Sequence, residues 1–551
     1  MGEHVREQRR VCRNPILPGF YPDPSLCRVG DDYYLVTSTF EYFPGLPIFH
    51  SRDLVHWQQI GHVLDRPSQL DLDGIAPSAG LYAPTIRQHE GTFYVINTLV
   101  GGKRKAMANF VVTARDPAGP WSDPYWIENA PGIDPSLFFD DDGRVWYTGN
   151  RAPPGGRQYV GQCEIWVQEL DLETMRLKGD PVVIWEGALR GCEWAEAPHL
   201  YKINGLYYLM IAEGGTGFEH AVTIARSREV TGPYYGNPRN PILTHRHLGR
   251  GYPITGTGHA DLVQTQKGEW WMVLLAMRPY GGYFYNLGRE TFLAPVRWEK
   301  DGWPTVCPGL GHVPWEFPAP DLPDRPWPSQ PACDSFEGRR LAFCWNFIRT
   351  PREPFWSLDE RPGYLRLRLR PETIAERCNP SFVGRRQQHI DCDVRVAMDF
   401  TPAGPNECAG VVALQSCDFH YRLVLTRTPG GRSVVRLVKR ARGEETLVAE
   451  RPAEAGRVYF KIEARRQDYS FFYSCGEPEK WQDMGGCMDG RILSTPVAGG
   501  FVGTYFGMYA SSQGLASTNV ADFDWFEYRG YDCPAGESVG HDGSSSAAML
   551  P

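Results

Sequence analysis

Five segments of this chain share one layout, and that repeat constrains the fold more than any other feature. Aligned on an aromatic strand they read DPSLCRVGDDYYLV, APTIRQHEGTFYVI, DPSLFFDDDGRVWY, APHLYKINGLYYLM and HADLVQTQKGEWWM. Each gives a small or proline corner, a short apolar strand, a polar turn with Gly or Asp, and then an aromatic strand. That is the pattern of a β-hairpin. The aromatic strands begin near Tyr33, Phe93, Val145, Tyr207 and Trp270. The spacing is roughly one per fifty to sixty residues, close to the period of kelch-type blades and somewhat longer. Five such units set radially predict a five-bladed β-propeller over residues 14–310. An irregular β-sandwich is the alternative, and the recurrence of the same corner chemistry favours the propeller.

The rest of the chain reads as a second domain behind a linker. Residues 304–331, PTVCPGLGHVPWEFPAPDLPDRPWPSQP, are rich in proline and predict a stiff, extended linker, placed at 311–332. Beyond it GYLRLRLR, DCDVRVAMDF, YRLVLTRT, SVVRLVKRA and RVYFKIEAR alternate apolar and polar residues with period two. Such strands have one buried and one wet face, so residues 333–531 are expected to form an antiparallel β-sandwich. The Gly/Ser-rich end, 532–551, reads as a disordered tail. A chain of 551 residues with 17 Trp, 27 Tyr, 26 Phe, 59 Gly and 46 Pro fits this all-β, multidomain reading.

A net charge of -8 argues against nucleic acid or an anionic membrane as a partner. The fourteen cysteines are scattered among apolar residues without a C-x-x-C pair, which points to buried free thiols rather than a zinc ribbon or disulfide framework. The basic N-terminus is followed by no apolar core of a signal peptide, and no apolar run reaches membrane-spanning length. A cytoplasmic enzyme is the expectation.

In a propeller the inner strands line one channel, so the residues that start them meet at one mouth. The common register gives Asp23, Ala83, Asp134, Ala197 and His259, with Glu196 just before Ala197. Taken singly, Asp-Pro-Ser is a turn and the histidine a structural one. Together, three carboxylates converge where other blades place alanine, and clustered carboxylates repel and lose solvation. Such a set suits glycoside hydrolysis, with one acid for the leaving oxygen and one carboxylate for water or the sugar. A third can raise the acid's pKa. Phe40, Tyr42, Phe43 and Tyr82 lie near the corners and are candidates to stack on sugar faces, or else core.

These residues carry a resemblance. NPILPGFYPDPSLCRVGDDYYLVTSTFEYFPGLPIFHSRDLVHW, and later GIDPSLFFDDDG, EAPHLYK, AEGGT, GTGHADLVQT and LGRET, resemble in order the signature segments of family 43 glycoside hydrolases of the β-xylosidase type. PSFVGRRQQH and GFVGTYFGMYASS resemble the family's accessory β-sandwich. The resemblance implies Asp23 as general base, Glu196 as general acid and Asp134 as the group that tunes and orients it. It implies Arg289 as a donor to sugar hydroxyls, and Phe40, Tyr82 and Thr216 as lining of the terminal-sugar pocket. The position of Tyr82 is often Trp in the family. The sandwich is expected to send one aromatic residue into the pocket, with Tyr505 or Phe506 the nearest match. His259 resembles a histidine that helps some members hold calcium, an ion that ordinarily takes six to eight oxygen ligands.

The implied activity is that of an inverting exo-glycosidase releasing D-xylose from the non-reducing ends of β-1,4-xylo-oligosaccharides. An α-L-arabinofuranosidase acting on arabinose-substituted oligosaccharides, or an enzyme doing both, is the near alternative. A non-catalytic carbohydrate-binding propeller is the alternative of another class. Homo-oligomers have ample surface, but no diagnostic interface is visible. The one G-x-S-x-G match, around Ser538, lies in the tail and not on a strand-to-helix elbow.

Overall fold

The computed structural model describes residues 10–189 and 191–531; the expected disordered tail lies outside them. The fold is all-β. Five antiparallel sheets, three of four strands and two of five, follow one another along the chain, each running outward from a central channel. Blade one comprises Ser25–Val29, Asp32–Val36, Gly45–Ser51 and Gln58–Leu64. The inner strands of blades two to five are Thr85–His89, Ser136–Phe139, Glu196–Ile203 and Thr255–Gln264. They touch in a closed ring, the fifth returning to the first.

The expected aromatic strands are present as Asp32–Val36, Thr92–Val100, Val145–Arg151, Leu206–Glu213 and Trp270–Met277, each paired to the inner strand before it. The turn that joins each pair explains the repeated glycine. Gly30, Gly91, Gly143, Gly205 and Gly268 all have φ between 63° and 86°, a region glycine enters without steric cost. Between blades, bulky side chains fill the gaps, as where Trp146, Ile165 and Val167 of blade three meet Leu200, Tyr207 and Leu209 of blade four.

The ring is closed by the segment before blade one. Asn14 Nδ2 donates to the Leu293 carbonyl at 3.0 Å and its Oδ1 accepts the Leu293 amide at 2.8 Å. Within the channel Asp261, fully buried, takes two donors from Arg87 and one each from Ser25 and Tyr201. That one carboxylate ties together the inner strands of blades one, two, four and five.

The proline-rich segment differs from a free spacer. Pro304–Val306 forms the outer strand of blade five, and Glu316–Pro318 pairs with Val11–Arg13. Phe317 and Ala319 are buried, so proline here stiffens a strap bound along the propeller flank. The sandwich begins at Cys333–Asp334. It stacks a six-stranded sheet on a larger sheet that contains Asp391–Phe400, Gly456–Arg465 and Val520–Tyr531. The two domains share a two-stranded sheet, in which Phe347 and Ile348 pair with Phe43 and Tyr42. Tyr42 and Phe43 are thereby spent on the junction and are not sugar platforms. The described cysteines are free thiols, but Cys333 and Cys487 are exposed rather than buried. No helix among the described residues is long and apolar enough to cross a membrane.

Candidate active site

Backbone conformation marks the channel mouth. Asp23, Asp134, Ala197 and His259 have φ of 56°, 53°, 53° and 45°, the left-handed region that residues with a Cβ ordinarily avoid. The first three precede proline, a neighbour that pushes a residue towards extended backbone. Strain of this kind persists only where surrounding structure over-determines it, and it gathers at functional sites.

Asp23 is 4% exposed. Its Oδ1 accepts from Arg289 Nη1 at 2.8 Å and its Oδ2 from Ser38 Oγ at 2.5 Å. His259 Nδ1 stands 3.7 Å from Oδ1. Burial alone would raise this carboxyl's pKa, but the Arg289 charge, then His259 and the Ser38 donor, outweigh it and hold Asp23 below the ordinary 3.8.

The other two carboxyls move the opposite way. Burial, and then the negative charge of Asp23, push Glu196 up to about 7, with Arg289 opposing. Burial, and then the charges of Glu196 and Asp23, lift Asp134 well above 3.8, opposed by the Ala197 amide that donates to it and by Arg289. The two titrate together, so the proton retained towards neutral pH belongs to the pair. One carboxylate is thus held ionised beside a pair that holds a proton.

Arg289 connects this electrostatics to the pocket wall. The same Nη1 donates to Thr216 Oγ1 at 3.0 Å. The guanidinium lies over the rings of Phe40 and Phe501 at 5.6 and 5.4 Å. Its strand is fixed by the next residue, Glu290, which accepts two bonds from Arg278 and one from the Gly19 amide. Phe40 packs 5.2 Å from Tyr82 and 5.7 Å from Phe501, ring centre to ring centre. Phe40 is 2% exposed and backs the wall, while Tyr82 and Phe501 keep part of their rings accessible.

Phe501 corrects the sequence expectation. Tyr505 is fully buried and stacks on Tyr42 at 4.0 Å, and Phe506 is buried in the sandwich core against Tyr469 and Tyr528. Both lie on the strand Tyr505–Ser511, whose pairing on both sides with Ser381–Arg386 and Cys408–Ser416 commits its side chains to packing. Phe501 stands just before that strand, after Gly499 and Gly500, both with positive φ. A loop can reach across a domain boundary where a central strand cannot. The glycines around Phe501 were the available signal; for Ser38 the sequence carried none.

His259 does not sit in a calcium cage. It is buried, and burial lowers its pKa. The nearest carboxylates are already engaged, Asp23 with Arg289 and Asp261 with Arg87. With both carboxylates engaged, the described residues leave the imidazole no free carboxylate partner for an ion, a poor fit to calcium. Asp53, His56 and Asp324 could converge on an ion elsewhere, but Arg10 pairs with both aspartates and His56 Nδ1 lies 2.7 Å from Asp53 Oδ2. A protein cation already occupies that cluster. A groove of about 890 Å³ lined by Asn204, Gln264, Trp270 and Trp298 lies at the far ends of the inner strands and contains none of the carboxyls above.

The chain matches known proteins along almost its whole length. The model described as glycosyl hydrolases family 43 matches residues 12–304, and that of a β-xylosidase C-terminal concanavalin A-like domain matches residues 333–529. A xylosidase/arabinosidase of Butyrivibrio fibrisolvens is 47% identical, covering 94% of this chain and 99% of its own. A non-reducing end α-L-arabinofuranosidase of Bacteroides ovatus is 44% identical, covering 96% and 97%. The crystal structure of a xylan β-1,4-xylosidase from Bacillus halodurans superposes with a TM-score of 0.89 at 39% identity, over 94% of this chain and all of that one.

Proposed function

Since the chain belongs to family 43 of the glycosyl hydrolases, we propose that its channel mouth hydrolyses the terminal pentose of β-1,4-xylo-oligosaccharides with inversion, releasing D-xylose. At the coarser level the protein is an exo-glycosidase of the β-xylosidase or arabinofuranosidase kind. The observation that carries the mechanism is the meeting of three carboxyls at one channel mouth, of which Asp23 alone is paired with Arg289, at 2.8 Å. Asp23 is held ionised by Arg289 while Glu196 is pushed up to about 7. Two carboxyls driven apart in this way are an acid and a base in waiting.

In the proposed step Asp23 takes a proton from water as the water oxygen bonds to the anomeric carbon. Glu196 gives its proton to the glycosidic oxygen as that bond breaks, and the shortened oligosaccharide leaves. The enzyme ends with Asp23 protonated and Glu196 ionised, and exchange with solvent restores both. Asp134 shares the proton of Glu196 and orients it. Arg289 and Thr216 bind sugar hydroxyls beside Asp23. For inversion a water must fit between base and sugar, which calls for carboxyls about 6.5–9.5 Å apart. Phe501 entering from the sandwich supports a pocket closed behind one sugar, and so exo-action.

Asp23→Ala and Glu196→Ala are each expected to lower turnover of xylobiose by about 10²–10⁴-fold while sparing the fold. Intact turnover in either sinks the mechanism. Proton NMR of the first-formed xylose anomer tests the stereochemistry. The second reading, arabinofuranosidase activity, is favoured by the names of the two relatives and by Tyr82 narrowing the stacking surface. Parallel assays on aryl β-D-xyloside and aryl α-L-arabinofuranoside decide it, and a rate ratio favouring the arabinoside overturns the preference for xylose.

A further inference from the structure

Behind the pocket wall lies a buried carboxyl that the chemistry above does not use. Glu41 follows Phe40 and is 4% exposed. Its Oε2 accepts the Ser78 amide at 3.0 Å. Ser78 is 7% exposed and holds φ at 61°, an uncommon conformation for a residue with a side chain. Its Oγ accepts the Phe501 amide at 2.8 Å. Three segments therefore meet at one serine: 40–42 of blade one, 78–82 of the loop leading to blade two, and 499–502 of the sandwich.

The approach is tight enough to dictate glycine on either side. A Cβ on Gly500 would stand 2.2 Å from Ser78 Oγ, and one on Gly80 would stand 2.3 Å from the Phe40 carbonyl oxygen. The loop is also pinned from the sandwich. Arg349 donates to the Ile75 carbonyl, and its amide donates to the Glu41 carbonyl at 2.8 Å. Thr350 Oγ1 donates to the Leu70 carbonyl at 3.0 Å. Burying a carboxyl is costly unless its oxygens are satisfied, and burial pushes Glu41 up to about 7 against its own amide, Arg349 and the Ser78 amide.

We propose that Ser78, held in place by Glu41, is a positioning residue that fixes Phe501 of the sandwich against Phe40, Tyr82 and Arg289, and so sets the fit of the pocket to its terminal sugar. The proposal rests on the pocket reading above. It assigns the loop between blades one and two a function in substrate fit, and it names the contact through which the second domain acts on the first.

A double-mutant cycle tests it. Ser78→Ala removes the acceptor and is expected to raise KM for an aryl β-D-xyloside about fivefold, with kcat within about twofold of wild type. Phe501→Ala is expected to raise KM further, and Ser78→Ala added to Phe501→Ala to change nothing more, because the serine acts through that residue. Glu41→Gln, which keeps a carbonyl acceptor for the Ser78 amide, retains wild-type KM, whereas Glu41→Ala reproduces the Ser78→Ala change. Additive effects, or an unchanged KM in Ser78→Ala, overturn the proposal. A merely structural serine would lower the unfolding temperature and leave the KM pattern flat. Calorimetric titration with D-xylose repeats the cycle without turnover. Loss of the pattern there sinks the clasp, while retained turnover in Asp23→Ala sinks the mechanism instead.

Discussion

Arg289 is the residue on which the acid and base assignments both turn. Its charge lowers Asp23 and also opposes the rise of Glu196. In wild type, kcat/KM is expected to fall on the acid side as Asp23 takes a proton below 3.8, and on the alkaline side as the Glu196–Asp134 pair loses the proton it shares, Glu196 being pushed up to about 7. Arg289→Ala should move both limbs to higher pH, besides weakening sugar binding, and a pH profile with an aryl xyloside measures it. Glu196 also bears on stability. Its folded pKa stands above the ordinary 4.5, so its contribution is full below 4.5 and is lost as pH rises through about 7. Glu196→Gln should therefore raise the unfolding temperature by about 1–4 °C at pH 8 and change it little at pH 4.5, read by calorimetry. Asp23 and Asp134 were legible because the hairpin repeat puts them in one register, and Glu196 because it stands one residue before the equivalent position, Ala197. Phe501 was not, because its place depends on a loop crossing between domains, and no periodicity within either domain records that.

At the scale of elements, the strands were legible from alternation, aromatic spacing and turn glycines, all local signals. Their mutual fastening was not. Asp261 sits two residues after His259, fully buried, and no pattern distinguishes it from a solvent-facing acid in a strand. Arg87, Tyr201 and Ser25, one from each of three other blades, reveal its role only once the ring is closed. Removing one side of a buried ion pair leaves the other charge uncompensated, at a cost of about 3–5 kcal/mol. Asp261→Ala is accordingly expected to lower the urea midpoint and, by loosening the inner strands that follow Asp23 and carry Glu196 and His259, to depress kcat as well. The proline-rich segment makes the same point in reverse. Its composition describes a stiff connector, and the stiffness is present, but pairing of Glu316–Pro318 with Val11–Arg13 turns it into part of the propeller wall.

At the scale of the whole molecule, the two domains are fastened to each other close to the site. Arg386 of the sandwich is buried, donating to the Phe20 carbonyl at 2.7 Å and to Asn346 Oδ1 at 2.8 Å, with its guanidinium 4.5 Å from the Tyr21 ring centre. That places it directly behind the corner that carries Asp23. Arg386→Met is expected to lower the unfolding temperature and to depress activity together, because the junction and the site share a wall. A chain ended after residue 331 keeps five blades but loses Phe501. It is expected to turn over aryl xyloside at least about 100-fold more slowly than the full chain, in line with the cost of misplacing groups that orient a substrate.

The position of Phe501 near the end of the chain also sets a clock. The last strand of blade five ends at Val306 and the strap along the propeller flank at Pro318, yet the wall formed by Phe501 is missing until residue 501 has been made. At about 5–20 residues per second, the usual pace of synthesis, that interval lasts on the order of 10–40 s. Throughout it the nascent chain carries its acid and its base in an open cleft. Full activity is therefore expected only late in translation, and a chain released before residue 501 is expected to be as slow as the one ended after residue 331.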